Sequence, residues 1–412
     1  MTALDVRDLH PALADPALAS INFLNEITDL YPEAISFAPG APYTPFLSDL
    51  DVPVAIGRYL DYRGASWDSL LRYGATAGQI NDLVAAALER DEGIRVSPEG
   101  LVVTVGCQEA LFVTLRTLFA DSRDVLLAVD PCYVGLIGAA RVLGIDTVGV
   151  PERSRGVEAR DVAAACRALR RSGRRPRALY VVPDFANPSG KRLDLSARQA
   201  LLAIAAEHDI LLIEDNPYGF TAGEPLPVLK ALDTEQRVIY LGTFAKVLAP
   251  GVRVGFAVAD QPVTGANGDT TLLAAAFASV KSMITVNTPP MAQAAVGGAL
   301  LAGFGLRNEI RAEHYRDNLA VLTAALRDRL PAGVTQNVPS GGFFAMLSVP
   351  FEVDDAVLIE CARDFGVLFT PMRDFHLNGG GTNEMRLSCS NLTPPVIEEG
   401  VDRLSWFLRS RC

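Results

Sequence analysis

The sequence predicts an α/β protein, a mostly parallel sheet covered by helices on both faces and followed by a smaller α+β module. Short runs of near-continuous apolar, β-branched residues recur through the middle of the chain, separated by amphipathic stretches of helical length. From about Thr270 long helical periodicity takes over, and a short mixed segment closes the chain. At 412 residues the chain exceeds the size that one core usually serves, so two units are expected.

In chain order, residues 1–60 are proline-rich and irregular. They are expected to form an arm plus part of the smaller unit. Residues 61–300 make the large unit and 301–412 the small one. Strands are predicted at 101–105, 125–129, 178–182, 210–214 and 238–242, with a further strand at 252–258. Helices are predicted at 108–119, 157–172 and 195–208. The small unit carries a long amphipathic helix over 305–329, a strand over 342–348 and a helix near 354–365. Strands near 367–370 and 384–388 and a last helix over 394–409 complete it.

Composition narrows the function classes. Hydrophobic residues make up 49% of the chain and charged residues 21%, the balance of a packed globular protein. A net charge of −11 argues against non-specific nucleic-acid binding and against an anionic membrane surface. The amino terminus lacks the pattern of a signal peptide, and no apolar run is long enough to span a bilayer. Six scattered cysteines without a Cys-x-x-Cys pair predict no metal site and reduced thiols in a cytoplasmic protein.

The chemistry begins at Lys246. The chain has only four lysines, Lys191, Lys230, Lys246 and Lys281, and arginine supplies the rest of its basic charge. Arginine cannot form an imine; a lysine amine held neutral in a dry site can. Lys246 follows the predicted strand 238–242 and precedes a Pro-Gly turn and Arg253. The other three lysines lie in ordinary polar or amphipathic contexts.

Four further segments end predicted strands, where open α/β sheets bind ligands. Val105-Gly-Cys-Gln-Glu-Ala110 suits a phosphate at a helix start, or equally a tight turn with a cap. Tyr133 suits stacking on a planar ring, or a half-buried place in a loop. Asn187 could donate to a phenolate oxygen, or Asn187-Pro188 could simply start a turn. Asp215 would pair with a protonated pyridine nitrogen, with Tyr218 reaching the same ring; its alternative is a helix cap. Thr243 and Arg253 suit a phosphate. Together these groups meet the needs of pyridoxal 5′-phosphate (PLP), an electron sink that a protein orients and tunes.

With these residues in order, the sequence resembles the fold-type I PLP-dependent aminotransferases of class I/II. It is most similar to the branch of kynurenine/α-aminoadipate and valine–pyruvate aminotransferases. The likeness runs from Ile35-Ser-Phe-Ala-Pro-Gly40 to Asn383-Glu-Met-Arg-Leu-Ser388. It implies a large domain built on a mostly parallel seven-stranded sheet, plus a smaller α+β domain. Lys246 resembles the Schiff-base lysine and proton shuttle, and Asp215 the pyridinium partner. Asn187 and Tyr218 match the ligands of the ring's phenolic oxygen, and Tyr133 matches the stacking ring. Cys107, Gln108, Thr243 and Arg253 fall on the phosphate positions. Tyr73 resembles a tyrosine that reaches the neighbouring subunit's phosphate, implying a homodimer with shared sites. Arg386 matches the clamp on the substrate α-carboxylate, beside Asn187 and Gly40.

The implied activity is transfer of an amino group between an amino acid and a 2-keto acid by a ping-pong mechanism. Ala245, Cys107, Cys132 and the segment 370–376 depart from the usual pattern. The same constellation also serves C–S lyases and decarboxylating or oxidative enzymes, and the fold occurs as the effector domain of transcription regulators. Such a regulator would need a basic winged helix ahead of it; the first residues here are proline-rich and not basic. Arg373 and His376 either face the substrate side chain or lie in an exposed loop.

Overall fold

In the computed structural model, residues 5, 8–15, 18, 26–377 and 379–412 are described. Their strands, numbered in chain order, begin with β1 (Ile35–Ser36) in the arm. The large sheet takes β2 (Leu101–Thr104), β3 (Asp124–Asp130), β4 (Asp146–Arg153), β5 (Gly156–Val157), β6 (Arg175–Val181), β7 (Leu211–Asp215), β8 (Val238–Thr243) and β9 (Gly255–Val258). Its order is β2-β9-β8-β7-β6-β3-β4-β5. Strands β8, β7, β6, β3 and β4 pair in parallel, while β9 runs antiparallel to both its neighbours. Seven strands were expected; the two-residue β5, antiparallel to β4, adds an eighth at the edge.

Burial explains the strand pattern. Every residue of β2, β8 and β9 is buried, so these strands read as unbroken apolar runs. One face of the sheet packs on helices Gly106–Leu118, Val134–Val142 and Leu273–Ser282 through Leu126, Ile213, Leu241 and Phe277. The opposite face packs on helices Ala159–Arg171 and Leu195–Glu207 through Leu127, Leu179, Cys166 and Leu201. Asp194 caps the second of these, its carboxylate accepting from the Ala197 N–H at 2.8 Å.

A short hairpin, β10 (Pro262–Thr264) and β11 (Thr270–Leu272), leads into the helical region. Helix Glu309–Arg329 begins at Asn308, whose side chain accepts from the Arg311 N–H. The small sheet then runs β12 (Thr335–Gln336), β13 (Phe344–Ser348), β16 (Glu384–Ser388), β15 (Thr370–Pro371) in spatial order. Strand β14 (Val367–Leu368) pairs with β1 in parallel, and the Ser388 N–H donates to the Phe37 carbonyl at 2.7 Å. The arm is thereby stitched to the small sheet. A shared apolar core of Phe37, Tyr315, Phe344, Leu387 and Val254 joins this sheet to the large one.

Several elements differ from expectation. Residues 52–60, read as irregular, belong to a helix, Val52–Arg63, capped by Asp51 and closed by left-handed Gly64. Strand β4 and helix Val134–Val142 went unread. The first carries Gly149, Pro151 and only one fully buried residue, Val150, and the second is interrupted by glycines. The helix near 354–365 is α-helical only over Asp355–Glu360, then widens to a π turn that ends at left-handed Gly366.

Candidate active site

The carboxyl ends of β2, β3, β6, β7 and β8 open on one cavity of about 380 Å³. The arm at Ala38–Pro42 and the small-sheet residues Phe344 and Arg386 close its other side. Cys107, Gln108, Tyr133, Asn187, Asp215, Tyr218, Thr243, Lys246, Arg253, Arg386 and Gly40 all line it. Of the candidate residues, Tyr73, which is 87% exposed, lies off the cavity wall, as do Arg373 and His376.

Lys246 follows β8. Its Nζ donates to the Gly40 carbonyl at 2.6 Å. The other lysines are paired: Lys191 with Glu152, Lys230 with Asp260 and Lys281 with Glu109. Lys281 is fully buried, so its ordinary amphipathic context was misleading; the pairing with Glu109 across 172 residues is invisible to a local window. Lys246 has no such carboxylate among the described residues. Burial, followed by the charges of Arg386 and Arg253, lowers its pKa to about 8.

Asp215 ends β7 and is buried. Its Oδ2 accepts from the Tyr180 hydroxyl at 2.7 Å and its Oδ1 from the Cys107 thiol at 3.4 Å. Burial raises its pKa, while these two donors and the Lys246 charge pull it down. The neighbouring Glu214 does the capping that Asp215 could have done. Its carboxylate accepts from the Leu229 and Lys230 N–H groups, both at 2.8 Å.

Asn187 donates to the Tyr218 hydroxyl at 3.5 Å and accepts from Arg386 Nη1 at 2.7 Å. Arg386 Nη2 donates to the Ala38 carbonyl at 2.5 Å and to Thr370 Oγ1 at 3.1 Å, while Nε has no hydrogen-bond partner among the described residues. The guanidinium lies over the rings of Phe344 and Phe375, 4.6 and 5.2 Å from their centroids. Burial brings its pKa down to about 10, so it remains a cation at neutral pH.

At the β2 turn, Gly106 has φ +73, and a Cβ there would sit 2.3 Å from Arg253 Nη2. Only glycine lets the guanidinium approach this helix start. Thr243 Oγ1 accepts from the Ala245 N–H, and the Gln108 side chain donates to the Gly135 carbonyl.

Sequence reasoning missed Tyr180, Thr370, Phe344, Phe375 and the Ala38 carbonyl. For Tyr180 a signal existed: a lone hydroxyl in an apolar strand needs a buried partner. Arg373 and His376 do not line the cavity. Arg373 pairs with Asp355 at 2.9 Å. His376 stands between Asp130 at the end of β3 and Glu384 on β16, 3.4 Å from each. Burial alone would lower its pKa, but Asp130 and Glu384 together raise it to about 9. The stabilisation is therefore complete below the unfolded value near 6.5 and is lost as pH rises through about 9. His376→Gln is expected to cost on the order of 1 kcal/mol at pH 6 and almost nothing at pH 10. Thermal melts across that range check this; an equal loss at both pH values contradicts it.

The sequence matches the family described as Aminotransferase class I and II over residues 50–404. The chain belongs to this family. It is 45% identical to (S)-3,5-dihydroxyphenylglycine transaminase of Amycolatopsis orientalis, over 100% of this chain and 96% of the relative. The α-aminoadipate aminotransferase of Thermus thermophilus, solved with N-(5′-phosphopyridoxyl)-L-leucine, matches with a TM-score of 0.79 at 33% identity. That match covers 93% of this chain and 94% of the other. The kynurenine aminotransferase of Pyrococcus horikoshii, solved with PMP, matches with a TM-score of 0.81 at 26% identity, over 94% of each chain. This protein is a PLP-dependent aminotransferase of fold type I. Among the described residues of the aminotransferase, no helix is long and apolar enough to cross a membrane.

Proposed function

We propose that this aminotransferase acts, by a ping-pong cycle, on an amino acid with an uncharged aromatic side chain, of the arylglycine type. The charge census of the cavity carries the reading. Its cationic lining is Lys246, Arg253 and Arg386, and each has a task below. No further cation of this chain's described residues is left there for an acidic side chain. Leu111, Val134, Phe344 and Phe375 offer apolar wall instead. The relative acting on dihydroxyphenylglycine supports the same class.

The residues present fit PLP. Gly106 leaves room for Arg253 at a helix start, and the two with Thr243 and the turn at Cys107 and Gln108 make an anion cradle. Asp215 offers a buried carboxylate to a ring nitrogen, Asn187 and Tyr218 offer polar groups to a phenolic oxygen, and Tyr133 offers a ring for stacking. When bound, PLP withdraws electrons from the substrate's Cα. Lys246 would hold the bound cofactor through its Nζ, and the same amine would be placed to carry the proton at the substrate's Cα. With its pKa lowered to about 8, a fraction of the amine is unprotonated at neutral pH. Arg386 grips the α-carboxylate and Gly40 lies beside it.

Arg386→Lys is expected to keep the melting temperature and PLP content while lowering kcat/KM about 10- to 100-fold for every carboxylate substrate. A variant with reduced stability but normal kinetics contradicts the clamp.

The protein works as a cytoplasmic homodimer. Trp67, Leu71, Tyr73, Met283, Ile284 and Val286 are large apolar side chains left exposed, and the segment Trp67–Leu71 packs on helix Pro290–Leu301 beside them. Pairing through this face would bring Tyr73 of the partner subunit to the phosphate. The six free thiols suit a reducing compartment. Sedimentation of the loaded enzyme is expected to give a dimer, and an active monomer overturns this.

The substrate class is tested by mixing the loaded enzyme with single amino acids and following the cofactor's visible spectrum. Hydroxyphenylglycines and phenylglycine should convert it faster than 2-aminoadipate. Faster conversion by the dicarboxylic amino acid rejects the proposed class.

A further inference from the structure

The geometry points to Tyr180 as a positioning residue for Asp215, one whose hydroxyl keeps that carboxylate ionised and aimed into the cavity. The inference rests on the reading above that Asp215 faces a ring nitrogen.

Asp215 has a problem that the protein must solve. A carboxylate enclosed at a strand end tends toward its neutral acid. A neutral acid would not hold a proton on a ring nitrogen. Hydrogen bonds donated to the ionised form oppose this. The shorter of the two on Asp215 comes from Tyr180 at 2.7 Å, in the range of a charge-assisted O–H···O⁻ bond. Cys107, a weaker thiol donor, reaches the other oxygen at 3.4 Å.

The supply of that bond is built into the sheet. Tyr180 lies on β6, in register with Ile213 on β7, two residues before Asp215. It is 1% exposed, so its ring is fixed by packing on both sides. Burial first, then the Asp215 charge, holds its phenol well above the ordinary pKa; it stays a donor across the working pH range. The carboxylate thus keeps one donor on Oδ2 and a weaker one on Oδ1. Lone pairs on the same oxygens stay free toward the cavity, which both residues line.

A merely structural tyrosine would satisfy its hydroxyl on any nearby acceptor, and its loss would act on stability alone. The test is a cycle of wild type, Tyr180→Phe, Asp215→Asn and the double variant, each measured for kcat, PLP dissociation constant, melting temperature without PLP, and the pH midpoint of the bound cofactor's visible band. Tyr180→Phe keeps the ring and its packing. It is expected to lower kcat about 10- to 100-fold with the melting temperature nearly unchanged, to weaken PLP binding, and to shift the spectral midpoint to higher pH. In the Asp215→Asn background the same change should cost little more. Equal losses in both backgrounds, or wild-type kcat and spectrum in Tyr180→Phe, overturn the role of Tyr180. If Asp215→Asn itself keeps wild-type turnover, the reading of Asp215 fails, and this inference with it.

Discussion

Lys246→Ala is expected to lower transamination by about 10⁴-fold or more, with the fold intact. The loss is large because no other amine can stand in. Lys191, Lys230 and Lys281 are each held by a carboxylate, and Lys281 is sealed in the core with Glu109 and Thr285. Lys246 alone of the four lines the site cavity, and among the described residues the Gly40 carbonyl is its one hydrogen-bond partner. Under the proposed role, removing it deletes both the attachment point and the group that would carry the Cα proton. Stability should change little, because the side chain keeps part of its surface open to the cavity and takes no part in an ion pair. Steady-state rates and thermal melts of the purified variant check both halves. Turnover within tenfold of wild type would remove Lys246 from the chemistry.

The second large effect belongs to Asp215→Asn. This variant should retain PLP, since the proposed anion cradle of Arg253, Thr243 and the helix start at Gly106 is untouched. Its turnover should fall by about 10²-fold or more. The reason is charge. An ionised carboxylate holds a proton on the ring nitrogen, and that positive charge is what draws electrons from the substrate. An asparagine amide of the same shape cannot. Cofactor content measured alongside kcat separates the two effects; loss of PLP with unchanged turnover per bound cofactor would contradict the assignment.

Much of this site was legible in the sequence because most of its groups follow apolar strands. A strand buried on both faces reads as an unbroken hydrophobic run, and its carboxyl end is where ligands bind. Asp215, Asn187, Thr243 and Lys246 all sit at or just beyond such ends, and the cavity gathers them. What stayed illegible depends on contacts between distant segments. The Ala38 carbonyl reaches Arg386 across 348 residues, and a backbone atom leaves no trace in composition. Phe344 and Phe375 read as ordinary core until Arg386 is found over both rings. His376 was open to two readings, facing the substrate side chain or lying in an exposed loop. It instead ties Asp130 to Glu384. The fold showed the same division. The buried central strands were readable, whereas the partly buried β4, next to the sheet edge and carrying Gly149 and Pro151, was not.

The most direct measurement reduces the loaded enzyme with borohydride, digests it and maps the modified peptide by mass spectrometry. The account predicts a single phosphopyridoxyl group on Lys246, absent when an amino acid substrate is added first without a keto acid. A label on Lys191, Lys230 or Lys281, or none on Lys246, would contradict it.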